Sequence, residues 1–174
     1  GKHSDLILED SKGTIFRGSL ATSPDVIIEE AGPLRVSIKL EGWMQSANGD
    51  KLGRRIVRVQ AFAGKRWLRV YDTWVNTADT NEVAFRNVAF HIPFNGTSYA
   101  FPETVQSTAR DVTTTDYLLQ YESDKYEIVS DSSVLSTGQK SPGRVDLGQG
   151  DTAYSVGIRN FWQMCPSEIE INPE

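Results

Sequence analysis

Leu34-Arg35-Val36-Ser37-Ile38-Lys39-Leu40-Glu41 alternates apolar and polar residues without a break. An extended chain sends successive side chains to opposite faces, so this run predicts a strand with one buried face and one wet face. Gly42 and Trp43 finish it. A polar stretch from Gln45 to Leu52 follows, centred on Asn48-Gly49, and alternation resumes from Arg54 to Ala63 through Val57, Val59 and Ala61. Asn-Gly between alternating runs is a hairpin signal, because both residues tolerate the positive φ of a tight reversal. Gly64-Lys65 makes the next reversal, and Trp67 to Val75, rich in aromatic and branched side chains, makes a third strand. Consecutive strands joined this way predict an antiparallel meander.

Working outward, Val83 to Ile92 reads as a fourth long strand ended by Pro93, Asn95-Gly96 as a turn, and Ser98 to Phe101 as a short strand before Pro102. Tyr117 to Tyr121, Tyr126 to Val129 and Arg144 to Leu147 are further short strands. Tyr154 to Phe161 is a late strand with Val156 and Ile158 inward, and Glu168 to Ile171 a final one closed by Pro173. Leu6 to Leu8, Ile15-Phe16 and Val26 to Ile28 add runs near the start. The Thr-rich segment Glu103 to Thr115 reads as a loop, with a short strand as the alternative, and the Ser-, Gly- and Asp-dense segment Ser130 to Gly143 reads as a loop. No long stretch carries a helical stripe. Many short strands separated by Gly, Pro and Asn predict an all-β fold, an antiparallel β-sandwich of jelly-roll or super-sandwich type with few or no helices. Without an internal repeat or a linker, residues 1–174 read as one module excised from a larger protein.

The composition excludes several classes. The 174 residues are 39% hydrophobic and 24% charged, ordinary for a globular domain. Eighteen basic against 23 acidic residues leave a net charge of −5, which argues against a protein that tracks nucleic-acid phosphates. No apolar run approaches the ~20 residues needed to cross a bilayer, so no membrane partner is expected. The opening Gly1-Lys2-His3-Ser4-Asp5 has no signal-peptide character, so any targeting sequence lies outside the residues shown. One cysteine, Cys165, and two histidines, His3 and His91, leave no basis for a disulfide or a zinc centre. No cofactor is expected; calcium has only the carboxylates and carbonyls from Asp146 to Asp151, without EF-hand spacing.

Within Arg69-Val70-Tyr71-Asp72-Thr73-Trp74, Asp72 stands among large side chains, where a carboxylate needs a cation. Arg55, Arg58 and Arg69 are the candidates, and the pairing reads first as structural. By period two Trp67, Arg69 and Tyr71 share a strand face, with Arg58 and Gln60 across from them on the adjacent strand. A flat ring flanked by guanidinium and amide groups suits a sugar: the ring stacks on the apolar face of a pyranose, while Arg and Gln donate to hydroxyls or grip a uronate carboxylate. Alternatively, Trp67 and Tyr71 cover the second face of a sheet packed against something else. A second group, Arg159, Trp162 and Gln163, lies in Gly157-Ile158-Arg159-Asn160-Phe161-Trp162-Gln163, where a strand opens into a loop. Its alternative is a Trp anchoring a core. The candidate glycan-binding residues are therefore Trp67, Arg69, Tyr71, Arg58, Gln60, Arg159, Trp162 and Gln163, with no catalytic residue assigned.

The runs Glu30-Ala31-Gly32-Pro33-Leu34-Arg35-Val36, Arg69-Val70-Tyr71-Asp72-Thr73-Trp74-Val75-Asn76-Thr77, Pro142-Gly143-Arg144-Val145-Asp146-Leu147 and Gly157 to Gln163 with Pro166 together resemble the β-rich part of the exo-rhamnogalacturonan lyase family of polysaccharide lyases. The resemblance covers roughly residues 26–171. Arg144 stands where the family pattern has an aromatic, and Met164-Cys165 departs locally. The resemblance implies β-domains ahead of a helical (α/α) toroid, a pectin- or uronate-type polysaccharide, and a secreted or periplasmic bacterial setting. β-Elimination needs a group that neutralises the uronate carboxylate and a base for the neighbouring proton. Arginines serve the first role, and Tyr71 or His91 is a candidate for the second. In a toroid lyase, however, helices outside this chain supply much of the cleft. The leading expectation is thus a non-catalytic module that binds an acidic glycan or braces a C-terminal catalytic domain. An active lyase is one alternative. A protein–protein interaction module, recognisable by a large exposed apolar patch, is another.

Overall fold

The computed structural model describes residues 3–102, 109–149 and 152–173. The fold is all-β and antiparallel, 59% strand, and among the described residues its only helical turns are the short 3₁₀ segments Gly18–Leu20 and Trp162–Met164. The chain forms two compact units, Gly1–Pro93 and Phe94–Glu174.

The first unit is a seven-stranded sheet curled as a half-barrel: β1 (Asp5–Asp10), β2 (Ile15–Arg17), β3 (Asp25–Ala31), β4 (Arg35–Ser46), β5 (Lys51–Phe62), β6 (Leu68–Val75) and β7 (Phe85–His91). The strand order is β6-β5-β4-β2-β1-β7, with β3 also paired to β4. The meander read from sequence is β4-β5-β6, with Ile38 opposite Val59 and Val59 opposite Val70. Around Asn48-Gly49 the chain reverses between Ser46 and Asp50, whose backbone groups bond at 2.9 Å. β5 then carries an extra residue near Gly53, at φ +75, where a side chain would collide with the Trp74 indole. Leu6, Leu8, Phe16, Met44 and Leu52 form the core, closed by Trp74 and Phe85 edge to face, with centroids 4.6 Å apart.

Alternation sorts the faces of β4 correctly but not their burial. Leu34 is 77% exposed and Val36 is exposed too, whereas Ser37 on the polar face is 4% exposed. The apolar face continues through Val26 and Ile28 on β3, Val57 and Val59 on β5, and Leu68 and Val70 on β6, and the outer members of this set are exposed. Amphipathic spacing fixes which face is apolar; covering that face takes a second layer, and the core of this unit reaches only its Met44 end.

The second unit is a β-sandwich. One sheet has the order β12-β11-β10-β15, from β10 (Asp116–Glu122), β11 (Lys125–Ser130), β12 (Ser133–Gly138) and β15 (Ser167–Ile171). The other is β14-β13-β8-β9, from β8 (Ser98–Ala100), β9 (Arg110–Asp111), β13 (Arg144–Gln149) and β14 (Thr152–Gly157). Both sheets contribute to one core: Tyr99, Val145 and Leu147 from one, Leu118, Ile128 and Ile171 from the other, with Phe161. The fully buried Gln120 satisfies its amide, donating to the Glu122 and Gln139 carbonyls and accepting from the Ser141 N–H at 2.9 Å. Buried Asp116 accepts from Tyr99 Oη and from Thr114 Oγ1 (2.8 Å), with Arg110 Nε at 3.3 Å.

Two expectations are corrected here, and one alternative is realised. Ser130 to Gly143 is not all loop: β12 pairs with β11 across a reversal at Asp131 and Ser132, both at positive φ. Its Val134 and Leu135 are exposed on a sheet edge, so no alternation announced it. β14 stops at Gly157, leaving Ile158 exposed and Phe161 as the buried anchor. In the Thr-rich segment, β9 pairs with β8; residues 103–108 of that segment lie outside the described residues. Gly143 sits at φ +66, and a Cβ there would fall 2.2 Å from Phe161 Cγ. Gly143→Ala is therefore expected to destabilise the fold by about 3 kcal/mol, combining backbone strain with overpacking, measured as a lowered urea midpoint.

Candidate functional site

On the face of the meander opposite the apolar one, cross-strand register places charges in rows. Arg58 Nε donates to Glu29 at 2.9 and 3.1 Å, Arg35 Nε to Glu30 at 2.9 Å, and Lys39 Nζ to Glu41 at 3.1 Å; Arg54 also pairs with Glu41. Donation from Arg58, Arg35 and Lys39 respectively holds the Glu29, Glu30 and Glu41 carboxyls below the usual range. A depressed folded-state pKa contributes stability above the ordinary carboxylate range, and that contribution is lost as pH falls through the lowered values. Asp116, pushed up by burial, works in the opposite sense. The thermal midpoint is expected to fall as pH drops below about 4, with a shallower fall when Glu29, Glu30 and Glu41 are all changed to Gln. Parallel acid limbs would contradict this.

The same face gathers five of the residues marked from sequence. Gln60 lies opposite Arg69 and Arg58 opposite Tyr71. Trp67, just before β6, is 46% exposed and Tyr71 41%. The Arg69 guanidinium lies 5.5 Å from the Trp67 ring and 5.8 Å from the Phe62 ring, and its Nη1 reaches Tyr71 Oη at 3.5 Å. Phe62 and Trp67 touch with centroids 4.7 Å apart. Phe62, unmarked in the sequence, is thus part of the aromatic ground on which Arg69 rests. Arg69 has no carboxylate partner among the described residues, whereas Arg58 is committed to Glu29. The result is a cation held in place by rings and open to an incoming anion.

Arg159, Trp162 and Gln163 belong to the second unit. Arg159 and Gln163 are exposed, and Trp162 is half-buried in a 3₁₀ turn with Lys140 Nζ 4.3 Å from its ring centroid. No known protein-family model matches the chain, and no curated protein does. The likeness to exo-rhamnogalacturonan lyases therefore rests on the residues quoted above.

Asp72 takes the structural role. Arg55 grips it through Nε at 3.0 and 3.1 Å and Nη2 at 2.6 Å, and through Nη1 reaches Asp5 at 3.0 Å. Tyr71 and His91 stand on β6 and β7, at opposite ends of the strand order. Among the described residues no three metal-ligating side chains converge. Asp146 is engaged by Arg144, at 2.7 and 2.9 Å, and by Ser155; residues 150–151 of the segment considered for calcium lie outside the described residues.

Sequence reading also missed a recess of about 230 Å³ beside Trp43, lined by the 21–25 segment and by residues of β4 and β5. In the sequence Trp43 marks only the end of a strand.

Proposed function

We propose that this chain is a non-catalytic β-module of a polysaccharide-lyase-like protein, and that it binds an acidic, uronate-containing glycan on the polar face of β5 and β6. The observation that carries this reading is Arg69, set among Trp67, Phe62 and Tyr71 without a carboxylate partner among the described residues. The exposed Trp67 and Tyr71 rings offer a pyranose apolar surface, and the guanidinium offers a uronate two parallel donors. A secreted or periplasmic setting follows from the same reading. Affinity electrophoresis in gels containing pectic, ulvan-like or other acidic polysaccharide tests it: retardation is expected, and none with any polymer would overturn it. Incubation with the same polymers is expected to release no ultraviolet-absorbing unsaturated uronate; release would favour the active-lyase reading.

The apolar face favours a second role, bracing the catalytic domain of the parent protein. Val26, Ile28, Leu34, Val36, Leu68 and Val70 are all exposed on one side of four adjoining strands. Clustered apolar surface of this kind marks a contact with another protein body. The two roles use opposite faces of the same strands and do not compete.

A further inference from the structure

We infer that the recess beside Trp43 is a second saccharide subsite, one that takes a single pyranose ring bearing a carboxylate. This rests on the glycan-binding reading above and adds a site that reading does not contain. Trp43 pairs across the sheet with Arg54, six residues along β5 from Gln60, so the recess lies roughly 20 Å from the Arg69 group.

The lining matches a charged polyol better than other ligands. Lys51 Nζ and the Arg54 guanidinium stand 5.8 and 5.6 Å from the Trp43 ring centroid. Lys51 has no carboxylate partner among the described residues; Arg54 pairs with Glu41 through Nη2, and its buried Nε has no hydrogen-bond partner among them. Buried Gln45 accepts from the Thr22 N–H at 3.3 Å through Oε1, which fixes the amide and leaves its Nε2 as a donor. Asp25 and the hydroxyls of Thr22 and Ser23 supply acceptors on the opposite wall. Ser23 is held at φ +65, a conformation a non-glycine residue keeps only where its surroundings impose it. A bare inorganic anion would meet the Asp25 and Glu41 carboxylates as well as the cations. A fully apolar ligand would leave the charged lining unsolvated. A sugar ring with one carboxylate suits this lining: its carboxylate at Lys51, its hydroxyls between Gln45 and Asp25, and its apolar edge against the exposed part of Trp43.

The test is an ¹⁵N-resolved titration of the whole chain with galacturonic and glucuronic acid, with galactose, glucose and inorganic phosphate as comparisons. Saturable movement of the Trp43 indole N–H with at least one uronic acid is expected, about tenfold weaker with the neutral sugar and in Lys51→Met, and unchanged in Trp67→Ala. Lys51 is exposed, so its variant tests contact rather than folding. If only the Trp67 indole moves, the recess assignment fails and the Arg69 site stands. If neither moves, both fail. Equal movement with phosphate would make the recess a plain anion site and overturn the inference.

Discussion

Arg55→Met is expected to lower the unfolding free energy by about 3–5 kcal/mol, because it leaves two carboxylates facing a protein interior without their counter-charge. Asp5 and Asp72 have side chains 4% and 15% exposed, and Arg55 is 13% exposed between them. Asp5 keeps two other donors, the Ser19 N–H at 3.0 Å and the Ser19 hydroxyl at 2.6 Å, but Asp72 takes all its charge-assisted bonds from Arg55 among the described residues. Asp72→Asn should therefore cost less than Arg55→Met, since it removes a charge and leaves Arg55 still bonded to Asp5. Urea unfolding followed by circular dichroism gives both numbers. A loss below about 1 kcal/mol for Arg55→Met would place the triad with solvated surface pairs. The same variants separate structure from function: where they remain folded, glycan retardation should persist, because Arg55 and Asp72 lie on the face opposite Arg69. Persistence would place Asp72 in holding the sheet and outside glycan recognition.

The features legible in the sequence are those set by local rules. The meander was legible because alternation and the Asn48-Gly49 and Gly64-Lys65 reversals act within a few residues of one another. The gathering of Trp67, Arg69, Tyr71, Arg58 and Gln60 on one face followed from the same period, once β5 and β6 were paired. Three things needed contacts distant in sequence. The partner of Asp72 was one of three arginines until register put Arg55 opposite Trp74 and next to Asp72 on the same face. The engagement of Arg58 by Glu29 depends on β3 lying beside β4, which no short-range signal announces. Burial was the largest miss. Leu34 and Ile28 carry the pattern of a covered face, yet both are exposed, because spacing records which side is apolar and not what meets it. Trp43 was overlooked for a related reason: its neighbours come from two other segments, Thr22 from the 21–25 stretch and Lys51 and Arg54 from β5.

Trp67→Ala and Arg69→Ala are each expected to weaken binding to an acidic oligosaccharide by tenfold or more, about 1.4 kcal/mol per decade. The two losses should not add. Arg69 rests 5.5 Å from the Trp67 ring, so removing the ring also frees the guanidinium to wander, and the double variant should lose less than the sum. Arg69→Lys should recover little, since an ammonium does not present two parallel donors in a planar fork. Arg58→Ala should have the smaller effect, because the Glu29 carboxylate at its Nε already offsets its charge. Calorimetric titration at two ionic strengths adds a check the folded state alone cannot mimic. Binding that depends on the Arg69 charge weakens as salt rises, and in Arg69→Ala that dependence should shrink while the stacking contribution remains. Trp162→Ala, in the second unit, provides the contrast. If it leaves affinity unchanged while Trp67→Ala removes it, recognition belongs to the first unit, and Arg159, Trp162 and Gln163 drop out of the site. If Trp162→Ala matches the loss and Trp67→Ala is silent, the exposed rings of β6 serve some other contact and the assignment of the polar face fails.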